Sequence, residues 1–201
     1  MMEGGLSLLF AGLIGFGHAF EADHLLAVST LVSKSKSTRE LAGNGFIWGL
    51  GHTSTIFLIG LLLIVFNVQG LKNYFEYFEL LVAFMLIALG IIRFFKDRSQ
   101  QEVAFGGNRR REAYGIGLIH GLAGSGALVL LVLTDLDGKL NALSYLLLFG
   151  LGSALGMSFA ASVLRIPILL GKADKSVKRI FSFLSSSLCI LYGFIIISRF
   201  I

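Results

Sequence analysis

Hydrophobic and polar positions alternate along the chain in long blocks. Six apolar runs of about 20 residues or more can be drawn, the length an α-helix needs to cross hydrocarbon at 1.5 Å per residue. They cover roughly 4–32, 43–66, 74–95, 113–134, 140–165 and 180–200. The pattern predicts an all-α integral membrane protein with six transmembrane helices. The first run is too long for one straight span. Gly15 and Gly17 stand just ahead of its polar residues, so a break or unwinding is expected there.

The longest polar stretch, 96–112, divides the chain, with Gly106, Gly107 and Asn108 as its flexible tip. The predicted organisation is one membrane domain over 1–201. Repeat one covers about 1–95, a cytoplasmic linker about 96–112, and repeat two about 113–201. The halves echo one another. GFGHAFEADHLLAV can be laid on GLIHGLAGSGALVL, matching His18 with His120, and GLGHTS on GLGSAL, matching His52 with Ser153. LGIIRFF closes the third run and YGFIIISRF falls in the sixth. Three spans per half would give the halves opposite orientation, an inverted 3+3 repeat with a site at the repeat interface.

Composition agrees with a polytopic membrane protein: 55% hydrophobic and 14% charged residues, with 25 Gly and one Pro, against roughly 25% charged in soluble domains. One cysteine, Cys189, excludes an internal disulfide and a thiolate metal cluster. The N-terminal run has no basic flank and no small-residue cleavage pattern, so it reads as a span and not a removed signal. The net charge of +5 is explained by placement. Fourteen of the 17 Lys and Arg, including Lys34, Arg39, Arg93 and Arg109–Arg111, follow the first, third and fifth runs. Lys72, Lys139 and Arg199 alone fall on the other side. The positive-inside rule then makes loops one, three and five cytoplasmic and puts both termini outside a plasma membrane. The Arg run is a topology and lipid-headgroup signal, and no nucleic-acid partner is implied.

The chemistry lies inside the apolar runs. All four histidines, His18, His24, His52 and His120, fall there, together with Glu21 and Asp23. Each ionisable group in hydrocarbon costs roughly 2.5–3.5 kcal/mol on insertion scales, so such a cluster needs a partner. A divalent cation is the partner that suits imidazoles and carboxylates together, and the donor set fits Ni, Co, Zn or Mn better than Cu(I). On a straight helix His18, Glu21 and His24 share a sector about 120° wide. Asp23 points away from that sector unless the helix unwinds, and it is then either an orienting group or a ligand on a distorted turn. His52 is a further ligand, a gate, or an interhelical hydrogen-bonding group. The same alternatives hold for His120, with Ser125 beside it. Gly45/Gly49, Gly117/Gly121 and Gly152/Gly156 predict close helix contacts. Met157 is expected to fill a gap. Asp135 and Asp137 form an acidic turn on the outer side, explained equally by solvation and by cation attraction.

HAFEADHLLAV resembles the signature of the nickel/cobalt transporter superfamily, His-Ala-x-(Asp/Glu)-Ala-Asp-His followed by apolar residues. GLGHTSTIF is similar to its second signature, and HGLAGSGAL resembles the branch of urease accessory nickel permeases. The resemblance covers runs one, two, four and, weakly, five. It implies His18, Glu21, Asp23 and His24 as the transport signature, with His52 in support. It also implies a six-span version of longer eight-span members. This chain departs from the pattern after Gly156-Met157, where SFAASVL carries no acid. The expected activity is permeation of a divalent transition-metal ion, Ni2+ or Co2+, into the cytoplasm. His18, Glu21 and His24 would capture the ion, and His52 and His120 would complete or gate the shell. Efflux is the first alternative, and an intramembrane metal-dependent hydrolase the second. The metal is cargo, no cofactor is expected, and the partners are the ion, the lipid bilayer and a cytoplasmic protein able to receive the metal. Oligomeric state leaves no trace in the sequence.

Overall fold

The computed structural model describes residues 2–32, 37–66, 70, 74–99, 109–122, 138–166, 169 and 175–200. The described residues form seven main helices: α1 (Met2–His18), α2 (Ala22–Val32), α3 (Thr38–Ile64), α4 (Phe75–Ser99), α5 (Arg109–His120), α6 (Lys139–Leu164) and α7 (Lys175–Ile197). Four contain stretches long and apolar enough to cross a membrane: Thr38–Ile64, Phe75–Phe95, Lys139–Leu164 and Ser176–Ile197, with mean hydropathies of 1.8, 2.3, 1.8 and 2.2. Outward-facing Leu81, Phe84, Leu151, Leu155, Phe159, Leu188 and Leu191 leave an apolar exterior of the kind lipid covers. The chain is an all-helical membrane protein.

The first run is divided as its length demands, though not at its glycines. α1 continues through Gly15 and Gly17 and stops at His18; residues 19–21 turn, and α2 starts at Ala22. Gly15 serves packing instead, seated against the backbone carbonyl of Phe149 where a Cβ could not fit. The next helix begins at a Ser37 N-cap. The Ser37 hydroxyl accepts the Glu40 amide at 3.1 Å, and the Glu40 carboxylate accepts from Arg109 Nη1 at 2.8 Å. That pair ties the start of α3 to the start of α5. At the opposite end, Lys139 Nζ reaches the Val65 carbonyl at 3.5 Å and ties α6 to the end of α3. Gly138, at φ +90, makes the turn into α6 in a region that disfavours side chains.

α3 packs along α6 and against α5, α1 against α6, and α4 against α7. Hydrophobic driving force between helices is absent in lipid, so close packing of small residues has to supply the attraction. Gly45 and Gly49 meet Met157 and Ala154 of α6, and Gly156 meets Phe16 and Ala19. The remaining crossings come in matched sets. Gly117 lies on the Trp48 carbonyl and Gly51 on that of Tyr114; correspondingly, Gly15 lies on the Phe149 carbonyl and Gly152 on that of Gly12. Between α4 and α7, a Cβ on Gly90 would stand 2.7 Å from the Ser186 carbonyl, and one on Gly193 2.8 Å from that of Ala83. Met157 is fully buried in the resulting core, in its expected gap-filling place.

One charge departs from the sequence expectation. Arg93, grouped by sequence with the loop following the third run, is buried within the bundle at 5% exposure. α4 extends beyond it to Ser99. The fourth apolar run is described only to residue 122, and Ser125, Asp135, Asp137 and Gly106–Asn108 lie outside the described residues.

Candidate metal centre

The centre forms where two helices stop. α1 ends at His18, followed by turns in which Phe20 N donates to Gly17 O (2.9 Å) and Glu21 N to His18 O (3.1 Å). α5 ends at His120, the histidine matched to His18, with Gly121 N donating to Gly117 O at 2.9 Å. Helix C-termini carry partial negative charge on their last carbonyls, so both ends favour a nearby cation. α2 restarts with Asp23 in its first turn. Because the helix is interrupted between His18 and Ala22, the straight-helix face of His18, Glu21 and His24 is not formed. Asp23 is turned toward the interior and Glu21 outward, its side chain 57% exposed.

Asp23 organises the interior. Its Oδ1 accepts from His24 Nδ1 at 2.9 Å and from the His24 amide at 2.9 Å, and its Oδ2 accepts from His120 Nε2 at 3.1 Å. Glu21 Oε1 accepts from His18 Nδ1 at 2.7 Å. An ionised carboxylate can only accept, so these bonds place the imidazole proton on Nδ1 in His18 and His24 and on Nε2 in His120. In the neutral imidazole the other nitrogen of each ring keeps its lone pair. Imidazoles oriented by carboxylates in this way are the usual supporting arrangement of histidine metal ligands.

The four rings gather around His24. His24 lies with ring centroids 4.4 Å from His18, 4.9 Å from His52 and 4.3 Å from His120, and His18 is 5.4 Å from His52. Ligand atoms of His18, His24 and His52 fall within 4.8 Å of one another, as do those of Asp23, His24 and His120. His24 belongs to both groups. His24 Nε2, His120 Nδ1 and both ring nitrogens of His52 are buried with no hydrogen-bond partner. An orphaned buried polar atom ordinarily costs about 1–3 kcal/mol; with each ring neutral, three of these four nitrogens, one on each of His24, His52 and His120, carry a lone pair, which marks a place shaped for something that accepts them. The hydrogen-bonding alternative for His52 is not realised among the described residues.

The positions come from packing. The α3–α5 crossing through Gly51, Gly117 and Gly121, the last seated against the His52 carbonyl, brings His52 and His120 together. Trp48 walls the site, its ring 5.7 Å from His24 and 5.4 Å from His120, and Phe149 stands 5.2 Å from His18. Sequence reasoning missed both aromatics. The signal lay one residue outside the matched GLGHTS and GLGSAL, since Trp48-Gly49-Leu50-Gly51-His52 parallels Phe149-Gly150-Leu151-Gly152-Ser153. Ser153, in the place matched to His52, is fully buried with an unpartnered hydroxyl. All six residues singled out by sequence are therefore in one neighbourhood: five clustered inside, and Glu21 at the edge, bonded to His18. Glu21 and Asp23 also line a cavity of about 340 Å3 beside the centre.

No family model matches the chain, and no solved structure matches it. Among curated proteins, the urease accessory protein UreH of Bacillus sp. (strain TB-90) is 30% identical over 203 residues, covering 94% of this chain and 89% of UreH. The nickel transporter NixA of Staphylococcus aureus (strain NCTC 8325 / PS 47) is 31% identical over 93 residues, covering 42% of this chain and 27% of NixA. The first similarity runs nearly end to end, and with the local one it extends the kinship that the histidine motifs indicated: the chain belongs to the nickel/cobalt transporter superfamily, in the branch of the urease accessory protein UreH.

Proposed function

We propose that the protein is a membrane permease for a divalent transition-metal ion, nickel or cobalt, and that it works inward. One observation carries the reading: four imidazoles and Asp23 converge inside an apolar helical bundle with ring nitrogens unpartnered. Buried lone pairs from imidazole, with a carboxylate and no thiolate among them, match the borderline ions of the first transition row. The name of NixA supports nickel as the ion. The two relatives are a urease accessory protein and a nickel transporter, neither named as an enzyme, which sets the hydrolase alternative aside. The ion is cargo, to be bound and released, and not a resident cofactor.

His18, His24, His52 and His120 supply nitrogen ligands, and Asp23 supplies a carboxylate oxygen or orients His24 and His120. Glu21 orients His18 and meets the ion before it enters. The reading includes six spans in one membrane domain, arranged as an inverted 3+3 repeat about the linker at 96–112. The matched glycine crossings support the repeat, as do helix ends at His18 and His120. Loops one, three and five are cytoplasmic and both termini outside. The Glu40–Arg109 pair supports this by joining loops one and three on one side, and the Lys139–Val65 contact by joining elements on the other. An inside-negative potential favours entry of a divalent cation by about 4.6 kcal/mol per 100 mV. A cytoplasmic metal-receiving protein then removes the ion.

Accumulation of radioactive nickel in cells expressing the wild type beside His24→Ala tests the reading. Uptake lost in the mutant at equal expression is the expected result. Wild-type cells holding less metal than empty-vector controls would reverse the direction. Metal levels that do not depend on His24 would remove the transport role altogether.

A further inference from the structure

α2, α4 and α7 meet along one seam whose two ends differ. At one end is the cavity of about 340 Å3, lined by Glu21, Asp23, Glu79, Tyr192, Ile196 and Arg199. Asp23 is the carboxylate bonded to His24 and His120, so the cavity reaches the centre itself. Farther along, the seam is closed by Arg93. Its Nη1 donates to the Ser29 carbonyl of α2 at 2.6 Å and its Nε to the Ser182 hydroxyl of α7 at 3.0 Å. The guanidinium carbon lies 6.0 Å from the centroid of Phe181. A single side chain of α4 thus ties all three helices. Between the two ends, the buried Cys189 thiol of α7 donates to the Leu26 carbonyl of α2 at 3.3 Å.

The two ends lie in the same order along each helix. Glu79 and Arg93 are separated by about 21 Å of α4 at 1.5 Å per residue, while Asp23 lies about 9 Å of α2 from Ser29. α7 runs the opposite way, with Ser182 at the closed end and Arg199 at the open one. A guanidinium buried among membrane helices is expensive unless its partners hold it, and its charge opposes any cation leaving the centre past it. We propose that this seam is the ion's path, entered at the Glu79 end and barred at the other by the Arg93 latch. The inference rests on the permease reading. An incoming cation meets the carboxylates of Glu79 and Glu21, with Arg199 beside them, then Asp23 and the histidines. Release requires α2 to part from α4 and α7 at Arg93 while the Glu79 end closes.

Cys189 is the one cysteine in the chain and reports on the barred half. A second reporter, Glu79→Cys in a Cys189→Ser background, reports on the open half. Each is alkylated with a membrane-impermeant maleimide from either face of oriented membrane vesicles, with and without Arg93→Met. Loss of the charge-assisted bonds to Ser29 and Ser182 should raise cytoplasmic-side labelling of Cys189 roughly tenfold or more, while labelling at Glu79→Cys falls. Ser182→Ala, which removes the bond to Nε alone, should give an intermediate exchange and serves also if Arg93→Met fails to fold. Labelling that rises at both ends, or changes at neither, would overturn the latch. Nickel binding measured on the same samples separates the two claims. Accessibility that fails to exchange in a wild type that binds and moves nickel refutes the path alone. Exchange in a protein that never binds nickel refutes the permease reading alone.

Discussion

At the residue scale, the decisive group is Asp23, because one carboxylate fixes two imidazoles at once. Removing a group that orients metal ligands typically costs 10–100-fold in affinity. Asp23→Asn is therefore expected to weaken nickel binding by about that factor in isothermal titration of purified protein. Glu21→Gln, at an exposed position with one bond to His18, should cost less. Equal losses for both would contradict the division between interior and mouth. The histidines were legible in the sequence because titratable groups inside apolar runs demand an explanation. The direction of Asp23 was not, since it depends on where the helix breaks. The break falls after His18 and not at the glycines, because Gly15 is used to seat α1 against Phe149. Nor does periodicity separate a loop arginine from one held between helices, so Arg93 reads from sequence as a loop residue.

At the element scale, the centre depends on how closely α3 and α5 approach. Gly117 and Gly115 lie in the same helix, yet a Cβ on Gly117 would overlap the Trp48 carbonyl, while one on Gly115 would meet nothing within 4 Å. Gly117→Ala should lower stability by roughly 1–3 kcal/mol through overpacking and separate His52 from His120. Gly115→Ala should be neutral or gain up to about 1 kcal/mol from helix propensity. Thermal unfolding in detergent, followed by nickel titration of both variants, checks this. A tolerated Gly117→Ala with full nickel affinity would show that the crossing does not set the site. The small-residue pairs were readable as packing signals from spacing alone. Their partners were not, because spacing names a face of one helix and not the helix that meets it. Trp48 stayed hidden likewise, as an aromatic residue in an apolar run that becomes part of the site only when α5 and the α1 break arrive beside it.

At the scale of the whole molecule, the hydrophobic runs made the helices legible because crossing hydrocarbon imposes a length and excludes most charge. Five of the six runs correspond to helices or a broken helix over most of their length, and the fourth does so for its described part. Metal binding needs neutral imidazoles, whose ordinary pKa is about 6.5, and protonation competes with the ion. Nickel uptake should therefore fall as the outside pH drops below that range. Uptake rising steadily with acidity would point to proton coupling through Glu21 or Asp23. A reporter fused to the C-terminus should be read from outside the cell, and one inserted in 96–112 from the cytoplasm. The reverse pattern would invert the proposed topology.

In the proposed permease the histidine cluster itself holds the transported ion. X-ray absorption at the nickel edge of the purified, nickel-loaded protein tests it most directly, with His52→Ala as the comparison. The expected first shell holds nitrogen and oxygen only, with the multiple-scattering signature of several imidazoles, and fewer imidazoles in His52→Ala. A shell of water oxygens alone, a sulfur neighbour, or a spectrum unchanged by His52→Ala would contradict it.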